Sequence, residues 1–232
     1  TRKESSAASD VYKRQIKGTK YPDEYVIISG HLDSYDVATG GIDCGTGIGP
    51  MMEAARMIAL SGAKPKRTIL FVAFAGEEFG LLGAKAYVKT HAKELGKIAN
   101  LFNRDGGPTP PVGISVPQAM YDDFVEVCKP VKEICADYPF EVKVAKPFKR
   151  PTQSGGTDAS VFAVEGVPTF GFNTQDIKGY NFSYGEIWHT ERDLYTKNIP
   201  EYQEHAATVT AVVALGIANL SKQLSREGMH KK

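Results

Sequence analysis

Three short apolar runs in the sequence each hand over to a group able to bind a cation or move a proton. Tyr25 to Ser29 leads into His31-Leu32-Asp33, Thr68 to Ala73 leads into Gly76-Glu77-Glu78, and Ile98 to Asn103 leads into Arg104-Asp105-Gly106-Gly107. If the runs are strands of an open α/β sheet, these groups gather at its carboxyl edge, where such sheets bind ligands. A lone histidine at that edge is usually structural and hydrogen-bonded, so the weight lies in what arrives beside it. Adjacent carboxylates repel, and burying them without a cation costs several kcal/mol or forces a proton onto one of them. A bound divalent ion removes that conflict.

Two loops extend the set. After the first strand, Gly40-Gly41-Ile42-Asp43-Cys44-Gly45-Thr46-Gly47-Ile48-Gly49 places an acid among glycines. This is a poor phosphate cradle: the dinucleotide fingerprint follows its strand at once, and the lysine of a P-loop is missing. The glycines read instead as room for the backbone to bend around Asp43. Farther on, Trp188-His189-Thr190-Glu191-Arg192-Asp193 supplies a second imidazole. His31, Asp43, Glu78, Asp105 and His189 then form a set of two imidazoles and three carboxylates, donors that zinc accepts. Five are too many for one tetrahedral zinc with an open position. They suit two zinc ions that share a carboxylate, about 3.5–4 Å apart, with water held between them. His91, His205 and His230 fall in no motif and are expected to pack or to face solvent.

The elements that must position these groups alternate along the chain. Besides the three runs above, Phe140 to Val144 and Pro168 to Phe172 read as strands. Ile48 to Leu60, Leu81 to His91, Tyr121 to Ala136 and Glu201 to Gln223 carry apolar residues at helical spacing. Ser61-Gly62 closes the first helix, and Pro200 opens the last. The pattern predicts a three-layer α/β/α domain around a central mixed, mainly parallel sheet. Residues 16–223 form the catalytic domain, 1–15 a non-core tail or linker remnant from which Val11 to Ile16 could add an edge strand, and 224–232 a polar tail. Ala145 to Gly156 and Asn173 to Lys197 remain as long loops, expected to wall a substrate site.

The chain has 232 residues, 42% hydrophobic and 24% charged, enough for one sizeable core. A net charge of +1 without long runs of one sign gives no attraction for nucleic acid or an anionic surface. No stretch reaches the roughly 20 apolar residues of a membrane span, and no targeting signal is visible. Cys44, Cys128 and Cys135 match no disulfide scaffold or zinc knuckle.

The ordered series His-x-Asp, Asp in a glycine-rich loop, Glu-Glu, Asp and His-Thr-x-x-Asp resembles the co-catalytic dizinc exopeptidases. That family includes leucyl aminopeptidases, aminopeptidase Y and plasma glutamate carboxypeptidase, and the residues around Asp105 look closest to the last branch. The resemblance runs from about Tyr25 to Ala218. It implies that Asp43 bridges two zinc ions, that His31 and Asp105 complete one site and Glu78 with His189 the other. It further implies that Glu77 is the general base and that Asp33 orients His31 through the ring's other proton. Asp193 would brace the His189 loop, and Asp158 would lie near the site. Two departures are Cys44, where the family has Asn or Asp, and Ala159, where many relatives have histidine. The implied function is hydrolysis of terminal bonds in short peptides by a secreted or periplasmic enzyme; oligomeric state is not specified. A glutaminyl-cyclase-like enzyme with one working zinc, or an inert domain keeping the fold for binding, are the alternatives.

Overall fold

The structure is a computed structural model that describes residues 11–146 and 150–227. Most of the segment set aside as an amino-terminal tail, and His230, lie outside the described residues. In chain order the elements are β1 (Val11–Ile16), β2 (Tyr21–His31), α1 (Gly45–Leu60), β3 (Arg67–Phe74), α2 (Leu82–Thr90), β4 (Ile98–Asn103), β5 (Pro111–Val116), α3 (Tyr121–Ile134), β6 (Glu141–Val144), α4 (Asp158–Val164), β7 (Phe172–Thr174) and α5 (Pro200–Asn219).

The strands form two hydrogen-bonded ladders, β1-β3-β2-β4 and β6-β5-β7. β2 runs parallel to both β3 and β4, and β1 is antiparallel to β3. The ladders are tied where the Leu101 N–H donates to the Pro168 carbonyl at 2.9 Å and the Asn100 amide to the Phe170 carbonyl. Because β2 and β3 are covered on both faces, alternate residues enter different cores. Val26, Ile28, Ile69, Phe71 and Ala73 pack with α1, α3 and α5 residues, whereas Ile27, Leu70, Val72 and Phe74 pack with α2 and α4 residues. That separation is the three-layer arrangement, with mixed sheets between helices.

Several boundaries differ from the sequence reading. The edge strand that the sequence allowed at Val11 to Ile16 does form as β1, but Leu224, assigned to the polar tail, is buried. β5 was not foreseen, because Pro110-Pro111 and Gly113 read as loop punctuation. Gly113 sits in the strand because a Cβ there would lie 2.3 Å from the Glu141 carbonyl oxygen of β6. The run Pro168 to Phe172 enters a ladder only at Phe172, its earlier part serving as the bridge to β4. α4 is a seven-residue helix inside a stretch given no element, capped by Thr157, whose Oγ1 accepts the Ala159 N–H. α5 stops at Asn219 rather than Gln223. Among the described residues no helix is long and apolar enough to cross a membrane.

One helix irregularity already belongs to the site. Pro50 inside α1 has no N–H for the Thr46 carbonyl one turn earlier. That carbonyl instead accepts Arg104 Nε at 2.8 Å, while the same guanidinium donates to the Thr109 carbonyl at 3.0 Å. Arg104 thereby ties the start of α1 to the chain leaving β4.

Candidate metal centre

β2, β3 and β4 share one direction, so their carboxyl ends open on one edge and deliver His31, Glu77-Glu78 and Asp105 there. The Asp43 loop folds back over this edge. His31 Nε2 lies 2.9 Å from Asp43 Oδ1 and 3.4 Å from Asp105 Oδ1. On the other side of the centre, His189 Nε2 lies 2.9 Å from Glu78 Oε2. Ligand atoms of Asp43, Glu78 and His189 fall within 4.8 Å of one another, as do those of His31, Glu77 and Glu78. The five residues expected as ligands are thus brought to one place, with Glu77 beside them. Asp43, Glu77, Glu78, Asp105 and His189 line a cleft of about 570 Å³ walled also by Tyr184, Trp188 and the segment 154–157, with His31 buried beneath.

The loop carrying Asp43 is held by close backbone approach. A Cβ at Gly41 would lie 2.1 Å from the Tyr195 nitrogen, and one at Gly47 would lie 2.2 Å from the Arg104 carbonyl oxygen. These glycines let the loop lie directly on its neighbours, a stricter need than the bending room inferred from sequence. The Asp43-Cys44 peptide bond is cis. Asp193, 1% exposed, fixes the loop from beneath, its Oδ1 accepting the Ile42 N–H at 2.6 Å and its Oδ2 the Asp43 N–H at 3.2 Å. It therefore joins the His189 segment to the Asp43 loop. His189 has φ 58°, the left-handed region that a non-glycine residue enters only when held there. Tyr35 holds it by stacking at 4.2 Å, with 4° between the rings.

Asp33 acts differently from the sequence expectation. His31 Nδ1 lies 2.9 Å from the Asp33 main-chain carbonyl oxygen and 3.8 Å from its carboxylate. The carboxylate instead accepts the backbone N–H groups of Glu77 and Glu78, both at 3.1 Å. One residue thus sets the ring and the turn bearing two acids. Tyr184, one of the aromatic residues near His189 that the sequence offers as pocket lining without a catalytic role, donates its hydroxyl to Asp43 Oδ2 at 2.8 Å.

The electrostatics are those of negative charge in want of a cation. Burial raises Glu77 to about 8, with Asp105, Asp158 and Glu78 adding to it and His31 opposing. Burial likewise raises Asp158 to about 7, helped by Asp105 and Asp33. Burial and Asp43 raise Glu78, against His189. Burial works to discharge His31, but hydrogen bonds to Asp105 and Asp43 outweigh it and keep the imidazolium far above its ordinary range. Glu78 Oε1 and both Asp158 oxygens are buried without a hydrogen-bond partner, the kind of orphaned acceptor that a bound cation satisfies. The donors present therefore fit zinc.

A sequence profile of peptidase family M28 matches residues 13–213. The chain belongs to peptidase family M28. Among M28-related proteins it is 32% identical over 212 residues to carboxypeptidase Q of Rattus norvegicus, covering 91% of this chain and 42% of that one. It superposes on a peptidase M28 precursor from Shewanella amazonensis with a TM-score of 0.76 and 32% identity, over 92% of this chain and 45% of that one. A zinc aminopeptidase from Bacillus subtilis shares the fold, with a TM-score of 0.66 and 21% identity over 96% and 50% of the two chains. The chain spans less than half the length of the curated relatives it matches. The branch resemblance expected from the residues around Asp105 agrees with the carboxypeptidase Q match.

Proposed function

We propose that this M28 domain is a metal-dependent exopeptidase that cleaves the terminal bond of short peptides with two zinc ions in the cleft. The observation that carries the reading is the convergence of His31, Asp43, Glu78, Asp105 and His189 around Glu77. His31 and Asp105 would hold one ion, Glu78 and His189 the other, and Asp43 would belong to both, since one oxygen faces His31 and it also groups with Glu78 and His189. When bound, the pair supplies Lewis acidity that makes water nucleophilic near neutral pH and polarises the substrate carbonyl.

The protein's own groups do the rest. Glu77, positioned by Asp33 and bound to no cation in this assignment, takes a proton as water oxygen attacks the scissile carbonyl carbon. It then returns that proton to the amide nitrogen as the carbon–nitrogen bond breaks, releasing an amine and a carboxylic acid. A high proton affinity suits both duties. Tyr184, at the cleft wall, steadies Asp43 by donating its hydroxyl to the carboxylate. Glu77→Gln should retain two zinc ions per chain by native mass spectrometry and lose about a hundredfold or more of chelator-sensitive turnover on dipeptides and aminoacyl reporters. Full activity in that variant would falsify the mechanism.

A further inference from the structure

One cation in the cleft has no part in the chemistry above. Lys85 lines the same cavity as Asp43, Glu77, Glu78 and Asp105, and apart from His189 it is the one basic side chain doing so among the described residues. It is the fourth residue of α2, a helix with no acid in its first turn and no side-chain cap. A cation at a helix amino end opposes the helix dipole, which favours negative charge there. Its position is therefore not explained by helix stability. Among the described residues Lys85 pairs with no carboxylate; its ammonium donates to the Gly80 carbonyl at 2.8 Å.

That tether fixes where the charge stands. The Gly80 N–H bonds back to the Glu77 carbonyl at 2.9 Å, closing a tight turn. Turns of this kind hold their ends within about 7 Å. The positive charge therefore stands against the turn that carries Glu77. The facing segment Ser154-Gly155-Gly156 is small and leaves room for a ligand between the walls. A helix amino end and a lysine together favour an anion.

We infer that Lys85 is the subsite for the free α-carboxylate of the substrate, so that the cleft favours peptides with an unblocked carboxyl end. This rests on the exopeptidase reading and deepens it: the ligand class is the short peptide recognised by its free carboxyl end. A charge-assisted contact of this kind is worth roughly 10-fold to 100-fold.

The zinc-loaded enzyme is tested with a dipeptide and the same dipeptide as its amide. The free acid should be favoured about 10-fold or more, through KM. Lys85→Met should bring the ratio towards one, Lys85→Arg should restore it, and Lys85→Glu should reverse it. Binding of the same two ligands is measured in parallel by calorimetry on zinc-loaded Glu77→Gln, with and without Lys85→Met. An acid-over-amide preference in binding, lost with Lys85→Met, upholds the subsite even if the wild-type enzyme hydrolyses neither ligand, in which case the exopeptidase reading fails alone. Equal binding of acid and amide, or a preference that survives Lys85→Met, overturns the subsite whatever the turnover.

Discussion

Removing metal should make the fold progressively less stable as pH rises, and the size of the effect follows from the site. Glu77 keeps its proton up to about 8 in the folded chain, and Asp158 up to about 7, whereas their ordinary values are 4.5 and 3.8. Between those limits the native state binds protons that the unfolded chain has lost. Stability therefore falls as pH rises through the window. His31, raised above 6.5, acts in the same direction at the alkaline end. Asp43, lowered from 3.8, titrates below the window and adds no slope. At 1.36 kcal/mol for each tenfold change in proton affinity, Glu77 alone accounts for about 5 kcal/mol at its limit. Asp158 shares its neighbours with Glu77, so the two do not sum, and about 5 kcal/mol between pH 5 and 9 is the expected total. For a chain of this length that corresponds to a melting-temperature drop of roughly 10–15 °C. Circular-dichroism melts at each pH unit with a chelator measure it, and Glu77→Gln should flatten much of the slope. With zinc the slope should reverse, because protons then compete with metal for the same ligands. A melting temperature of the chelated protein that is flat or rises from pH 5 to 9 would refute the reasoning.

Two packing contacts give further expectations. Gly47→Ala forces a Cβ to within 2.2 Å of the Arg104 carbonyl, and the shift of α1 away from β4 should cost about 1–3 kcal/mol in urea unfolding and weaken zinc affinity. Asp193→Asn keeps shape but removes the charge that accepts the Ile42 and Asp43 N–H groups. It should cost about 1–3 kcal/mol in the same assay and lower zinc affinity severalfold by isothermal titration.

The parts legible in the sequence were those with strong periodicity or a charged residue at a strand end. β2, β3 and β4 announced themselves as apolar runs ending in His31, Glu77-Glu78 and Asp105, and parallel strands must place such residues on one edge. β5 hid because Gly113 is needed for close contact with β6 and looks like a turn. α4 hid because seven residues are too few to show a helical period. The role of Asp33 was half readable: the spacing from His31 showed that the two would meet, but whether ring and acid meet through the side chain or the main chain depends on the turn after β3, where the Glu77 and Glu78 N–H groups claim the carboxylate. Tyr184 was readable as one of the aromatic residues beside His189, whereas Lys85 carried no local signal, since only folding brings the first turn of α2 to the same cleft. The service of Arg104 to the Thr46 carbonyl follows from Pro50, whose missing N–H leaves that acceptor open.

The most direct measurement of the central claim is anomalous scattering at the zinc edge from crystals of the zinc-loaded protein. Two peaks flanking Asp43 are expected, one bounded by His31 and Asp105 and the other by Glu78 and His189, with Glu77 beside both and bound to neither. A single peak, or peaks that leave Asp43 without a metal neighbour, would contradict the account.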